Sequence, residues 1–253
     1  MKLFDLSGKT ALITGSSRGL GYTMAVGLGN AGANVILNGR DETSLTVAVD
    51  KLKGDGIQAT HKVFSVNKEE EVTNGIEELL AEHGSIDILI NNAGIGIRNR
   101  LEDYNLDDWN KMLGTHLTGS FLVARSVVKG MIKQEAGKII NICSVMSELG
   151  RETTAPYAAA KGGLKMLTRS MAVEWARYNI QVNGIGPGYF KTDMTRKLAD
   201  DPTFNNWLIN RTPARRWGDP EELIGAAIFL ASDASSFVNG HILNVDGGLM
   251  VSV

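Results

Sequence analysis

Three residues between positions 144 and 161 have the types and spacing for acid–base chemistry. Ser144 is followed thirteen residues later by Tyr157, and Lys161 lies four beyond the Tyr, in the stretch SVMSELGRETTAPYAAAK. Pro156 suits the first turn of a helix. On that helix a four-residue spacing puts Tyr157 and Lys161 on one face, one turn apart. An ammonium beside a phenol favours the phenolate, so a side chain that alone ionises near pH ~10 becomes a usable acid and base near neutrality. The Ser144 hydroxyl could hydrogen-bond the same substrate oxygen. Any helix can carry Tyr-x-x-x-Lys, so its meaning rests on the elements that position it.

Those elements alternate. Apolar runs bounded by turn residues predict strands over 10–14, 34–38, 60–66 (the weakest), 86–91, 138–142, 181–185 and 242–245. Longer helix-like segments lie between them, at 20–31, 42–53, 68–83, 106–133, 154–178 and 220–230. Strands that alternate with helices imply right-handed βαβ units and a parallel sheet covered on both faces, an α/β fold. The 253 residues suit one domain, 1–253, without repeats or a linker. The stretch 186–219 has no clear strand and holds Tyr189, Phe190 and Trp207, which suits a substrate-covering excursion.

Bulk properties exclude several classes. A formal net charge of −2 gives no general basic surface and argues against nucleic acid as a partner. The single cysteine, Cys143, excludes an internal disulfide and fits a reducing compartment. Neither a secretory signal pattern nor an apolar run of membrane-spanning length is visible, so the expectation is a cytoplasmic protein without a membrane partner. His61, His83 and His241 lack paired metal-ligand spacing, and no metal is expected.

The first predicted strand runs into Thr14-Gly15-Ser16-Ser17-Arg18-Gly19-Leu20-Gly21 and then a helix. Glycines there allow a tight turn and close backbone approach to a pyrophosphate at the helix N-terminus. The spacing is Gly-x-x-x-Gly-x-Gly, not the commoner G-x-G-x-x-G. The bland alternative is an ordinary strand-to-helix turn. The second strand ends Leu37-Asn38-Gly39-Arg40, with Asn38 where an acid would take a ribose 2′-hydroxyl. Arg40 and Arg18 suit a 2′-phosphate through charge-assisted hydrogen bonds, and Asp41 reads more simply as a helix N-cap. NADP(H) is therefore expected over NAD(H).

The glycine turn, Asn91-Asn92-Ala93-Gly94 after the fourth strand, Ser144, Tyr157-x-x-x-Lys161 and Pro187-Gly188 after the sixth together resemble the short-chain dehydrogenase/reductases. The resemblance covers essentially the whole chain. It implies a single Rossmann-type doubly wound domain with a seven-stranded parallel sheet, assembled as a homotetramer, and hydride transfer between a nicotinamide ring and a carbonyl or alcohol carbon. It implies Tyr157 as the acid/base, Lys161 as the group that lowers its pKa and holds the nicotinamide ribose, and Ser144 as the group that positions the substrate oxygen. Gly15, Ser17, Arg18, Gly19, Leu20, Gly21, Arg40, Val66, Asn92, Ala93, Gly94, Pro187, Gly188 and Thr192 become cofactor-binding candidates, with Asn92 alternatively a brace for the sheet. Two departures stand out. Ser65 precedes Val66 where the family often has Asp. His116, in Thr-His-Leu-Thr-Gly, stands at the fourth catalytic position, where the family usually has Asn. The imidazole either packs in its helix or replaces the amide in a proton relay.

The segments 141–151, 179–195, 211–227 and 237–248 resemble the gluconate 5-dehydrogenase group of that family, which implies D-gluconate and 5-keto-D-gluconate as substrates. Met146, Arg151 and Tyr189 join Ser144 and Tyr157 as substrate candidates. Arg151 could pair bidentately with a carboxylate, or it could pair with Glu148 across a turn. Arg98 is another cation at the mouth of the site. The alternatives are a 3-oxoacyl carrier-protein reductase, with Lys129, Lys133 and Arg169 as a thin basic patch, and a nucleotide-sensing protein without catalysis. On the cofactor assignment, kcat/KM should be higher with NADP(H) than with NAD(H), and Arg40→Asp should shift preference toward NAD(H). Equal or better kcat/KM with NAD(H) in the wild-type protein would remove it.

Overall fold

Strands buried end to end need cover on both faces, and these strands receive it. In a computed structural model describing residues 2–252, β1 (Thr10–Ile13), β4 (Ile88–Asn91) and β6 (Ile180–Pro187) are buried at every position. With β2 (Asn34–Gly39), β3 (Ala59–Val63), β5 (Gly137–Ile142) and β7 (Ile242–Val245) they form one all-parallel sheet in the order β3-β2-β1-β4-β5-β6-β7. Such runs are too apolar for a strand with one wet face. On one side the core takes Met24 and Leu28 of α1 (Gly19–Asn30), Leu45 and Leu52 of α2 (Glu42–Gly54), and Leu223 and Leu230, just before and within the late helix Ile224–Ala231. On the other it takes Val72 and Ile76 of α3 (Glu69–His83), then Leu122 and Val127 from the fourth crossover and Met171 from the fifth. The α/β reading, the single sheet and its seven strands hold.

The strand order reverses between β1 and β4. The crevice at the carboxyl ends of those two strands is the natural ligand position in such sheets. The glycine turn leaves β1 there, Asn92-Ala93-Gly94 leaves β4, Ser144 follows β5, and Pro187 ends β6. One sheet edge thus gathers segments far apart in sequence.

Three differences from the sequence expectation have physical causes. The predicted strand over 60–66 stops at Val63, because the Ser65 N–H leaves the ladder to donate to Glu71 Oε2 (2.8 Å). The predicted helix over 106–133 is α4 (Leu106–Leu113) and α5 (Gly119–Gln134), joined through a π-helical turn, Gly114–Thr118. The wider turn admits an extra residue without leaving helical dihedrals, and such insertions gather at functional sites. The stretch 186–219 contains α7 (Arg196–Ala199) and α8 (Pro202–Arg211), the latter capped by Asp201, which accepts from the Thr203 N–H at 2.9 Å.

A buried polar chain ties the strands to α6 (Ala155–Trp175), the helix that carries Tyr157 and Lys161. Asn91 Nδ2 donates to Asn141 Oδ1 (2.9 Å), and Asn141 Nδ2 donates to Thr168 Oγ1 (2.9 Å). Asn141→Leu should cost about 2–3 kcal/mol by stranding partners in the core, a Tm loss of roughly 5–10 °C. An unchanged Tm in calorimetry would show that the chain carries no such burden.

Candidate active site

β5 ends at Ile142, and two residues later Ser144 caps a short turn, its Oγ accepting from the Met146 N–H at 3.1 Å. Pro156 occupies the first turn of α6, as its fixed φ favours. Tyr157 and Lys161 follow on the face turned toward Ser144. Lys161 is 4% exposed and donates to the Ile142 carbonyl at 2.5 Å. Its Nζ lies 5.7 Å from the Tyr157 ring centroid. The π-turn delivers His116, whose ring meets the Tyr157 ring edge-on at 5.0 Å between centroids. The four candidate catalytic residues therefore share one site.

Its electrostatics differ from the expectation in one respect. Burial pushes the Tyr157 phenol up, and the hydrogen bond with Ser144 pulls in the opposite direction. Lys161 was expected to lower that pKa. Instead the ammonium, itself drawn down by burial to about 8, spends its short hydrogen bond on the Ile142 carbonyl. The phenol is thus protonated at neutral pH, a proton donor as the chain stands.

His116 is neutral. Burial first, and the Lys161 ammonium second, lower it to about 3. Its Nε2 lies 2.8 Å from the Ile95 carbonyl and 3.2 Å from the Ile95 N–H, so it donates to one or accepts from the other according to tautomer. Nδ1 is buried without a partner. A side chain at Gly94 would meet the ring at 2.7 Å, so the glycine is what lets the imidazole lie there.

Two cavities flank this group. One, of about 620 Å³, is lined by Gly15, Ser17, Arg18, Asn38, Arg40, Val66, Ala93 and Gly94 among others. Gly15 has φ +62° and lies so close to the next loop that a Cβ would meet Ala93 Cα at 2.6 Å. Arg18 provides the N-cap backbone of α1 but no side-chain cap, which leaves the first N–H groups of that helix open to an anion. Asp41 caps α2, accepting from the Ser44 N–H at 2.8 Å. Asn38, 1% exposed, donates Nδ2 to the Lys62 and Phe64 carbonyls (3.1 Å each), work that an aspartate could not do, and leaves its Oδ1 unpartnered. Asn92 does not line the cavity. Its amide donates to the Thr14 and Gly15 carbonyls (2.9 Å each), so it braces the glycine turn. Leu20 packs toward the core, and Gly21 presses against the Gly15 carbonyl. Pro187 is buried at the end of β6, and Thr192 opens on a separate cavity beside Gly19.

The other cavity, of about 480 Å³, lies over Ser144 and Tyr157 and is lined by Met146, Arg151, Gly188 and Tyr189, and also by Arg98. Glu148 does not pair with Arg151; it pairs with Lys165. Arg151 Nη1 donates to the Tyr189 hydroxyl (3.3 Å). Arg98 is lowered by burial and then by Arg151, so two guanidinium groups share the cleft. Among the described residues neither has a carboxylate partner, and the acid lining the cleft, Asp193, is bound to Arg196 at 2.7 Å. Sequence reading under-weighted Arg98, four residues beyond Gly94, and did not single out Phe204, the α8 ring against Arg151.

A family model described as enoyl-(acyl carrier protein) reductase matches residues 15–250. The chain is 53% identical to 5-keto-D-gluconate 5-reductase of Escherichia coli (strain K12), over 99% of each chain. It is also 53% identical to 2-dehydro-3-deoxy-D-gluconate 5-dehydrogenase of Formosa agariphila, over 99% of this chain and 96% of that one. The crystal structure of a gluconate 5-dehydrogenase from Burkholderia cenocepacia, in complex with NADP and tartrate, superposes with a TM-score of 0.98 at 52% identity, over 100% of this chain and 99% of the other. The chain belongs to the short-chain dehydrogenase/reductase family. Within this family of oxidoreductases, His116 at the position expected for Asn is the departure nearest the chemistry.

The depressed pKa of His116 has a measurable consequence. The folded protein holds the ring neutral down to about pH 3, while the unfolded chain protonates it below about 6.5. The unfolded state therefore binds more protons between these values, and stability falls as pH falls through that window. His116→Asn should lessen the loss of stability between pH 7 and pH 5 by up to about 2 kcal/mol. Identical pH slopes in denaturant titrations of the two proteins would contradict the burial account.

Proposed function

We propose that this protein is an NADP(H)-dependent oxidoreductase that interconverts D-gluconate and 5-keto-D-gluconate. The observation that carries the substrate class is the pair Arg98 and Arg151, both without carboxylate partners, in the cleft over Tyr157. Two free guanidiniums in a part-enclosed cleft favour a carboxylate-bearing ligand. A 3-oxoacyl thioester brings no carboxylate for them, which sets that alternative aside.

The residues present suit the cofactor. Arg18 and Arg40 make no ion pair among the described residues and reach the cavity where a 2′-phosphate would sit, and the uncapped N-terminus of α1 suits the pyrophosphate. Ser65, Val66 and the unpartnered Asn38 Oδ1 line the adenine end in this reading. Ala93, Gly94 and Gly188 border the nicotinamide end in this reading, while Pro187 is buried at the end of β6 and Thr192 opens on the cavity beside Gly19; Lys161 would hold the ribose hydroxyls. When bound, NADPH supplies a hydride, and NADP+ accepts one.

In reduction, Ser144 donates a hydrogen bond that orients the ketone oxygen, and the Tyr157 phenol gives it a proton. The raised phenol pKa keeps that proton in place at neutral pH. In oxidation the same oxygen atoms work in reverse, with Tyr157 taking the hydroxyl proton. Reduction leaves a phenolate on Tyr157, with the Lys161 Nζ 5.7 Å from the ring centroid. His116, neutral and bound to the Ile95 backbone, takes the fourth position with Nδ1 free for a water in the proton line. Met146, Tyr189 and the segment 186–219 cover the substrate.

A second reading rests on the equal identity to the 2-dehydro-3-deoxy-D-gluconate 5-dehydrogenase. Both substrates carry the carboxylate, and a side-by-side assay separates them. Apolar side chains exposed on α5 and α6 (Phe121, Met166 and Val173) support assembly as a homotetramer, and the buried lone thiol Cys143 suits the cytoplasm. NADPH oxidation with 5-keto-D-gluconate should be robust, and Arg151→Ala should raise KM for the acid at least ten-fold while changing KM for a neutral ketose little. Equal rises for both, or turnover of acetoacetyl thioesters but of no sugar acid, would sink this reading.

A further inference from the structure

Arg151 is held at both ends before any substrate arrives. Its carbonyl accepts from Thr154 Oγ1 (2.8 Å) and from the Thr154 N–H (3.4 Å), which closes a turn. Inside that turn Thr153 has φ +64°, the left-handed region that β-branched residues avoid. The far end of the side chain rests on rings. Its guanidinium carbon lies 5.1 Å from the Phe204 centroid and 5.9 Å from that of Tyr189, and Nη1 donates to the Tyr189 hydroxyl. Phe204 belongs to α8 and does not line the substrate cleft. It is in turn packed by Tyr189 (5.5 Å), Trp207 (5.2 Å) and Trp217 (6.3 Å), and Trp217 is fixed by its Nε1–H donating to Asn205 Oδ1 at 2.7 Å.

A free arginine loses several rotatable bonds when it binds an anion, and a cation seated on aromatic faces has already lost them. The seat has no counter-charge, so the guanidinium keeps its full charge for a ligand. We propose that Phe204 is a positioning residue for acid recognition: the aromatic shelf of α8 preorganises Arg151 as a carboxylate receptor and so makes α8 a specificity element. This rests on the sugar-acid reading above. It adds a residue that touches neither substrate nor cofactor, and it gives the segment 186–219 a role beyond cover.

The test is a double-mutant cycle of Phe204→Leu and Arg151→Ala in the full-length protein. It is read as Kd for D-gluconate and for the neutral polyol sorbitol by calorimetry with NADPH bound, a pairing that cannot turn over, and as KM and kcat for the keto acid. Phe204→Leu should weaken D-gluconate binding about three-fold, leave sorbitol binding and kcat nearly unchanged, and have no further effect once Arg151 is Ala. Phe204→Tyr, which keeps an aromatic face, should restore wild-type binding. Equal weakening of both ligands, or an effect that persists without Arg151, would overturn the proposal, as would failure of the wild-type protein to bind D-gluconate. Carboxylate binding with the predicted coupling, but no turnover of any sugar acid, would leave the receptor standing and overturn the functional reading instead.

Discussion

An ammonium buried without a carboxylate is a costly arrangement, and the site is built around one. Removing such a charge from water costs several kcal/mol unless hydrogen bonds and opposite charge replace the lost solvent. Lys161 receives the Ile142 carbonyl, directed at it from the end of β5, and the anchoring of α6 against that strand through Asn91, Asn141 and Thr168 keeps the two in register. The consequences spread outward. The same charge helps hold His116 neutral, and the same burial keeps Tyr157 a phenol. The free protein thus stores a positive charge beside a proton donor, and a negative oxygen formed nearby would relieve both.

The pattern repeats in the cavities on either side. Arg18 and Arg40 face one, Arg98 and Arg151 face the other, and none has a carboxylate partner among the described residues, although the chain as a whole carries a formal net charge of −2. Three acids are already occupied: Asp41, which lines the first cavity, caps α2, Glu148 holds Lys165, and Glu222 grips Arg216. Positive charge is left unneutralised in both cavities, and the strand order places them along the carboxyl edge of one sheet.

Much of this was legible in the sequence because it rests on local rules. Buried β-runs, the glycine turn, the Tyr157–Lys161 spacing and the Asp41 cap each follow from a few neighbouring residues. What was not legible depends on distance in the chain. The direction of the Tyr157 shift depends on how deeply α6 sits against β5, which no motif reports. Asn92 reads as a cofactor residue or a brace with equal ease until its amide is seen on the Thr14 and Gly15 carbonyls. The π-turn at Gly114–Thr118 keeps helical composition and so hides inside a helical pattern. The shelf beneath Arg151 joins residues 151, 189, 204, 207 and 217, and only the folded excursion brings them together.

The proposed function requires an acid group docked on the two free arginines while the reacting oxygen sits on Ser144 and Tyr157. A crystal structure of the protein with NADP+ and D-gluconate tests it directly. The carboxylate should lie within hydrogen-bonding distance of Arg98 and Arg151, and one secondary hydroxyl within reach of both Ser144 Oγ and the Tyr157 oxygen. A carboxylate seated on Ser144 and Tyr157, with the arginines turned to solvent, would contradict it.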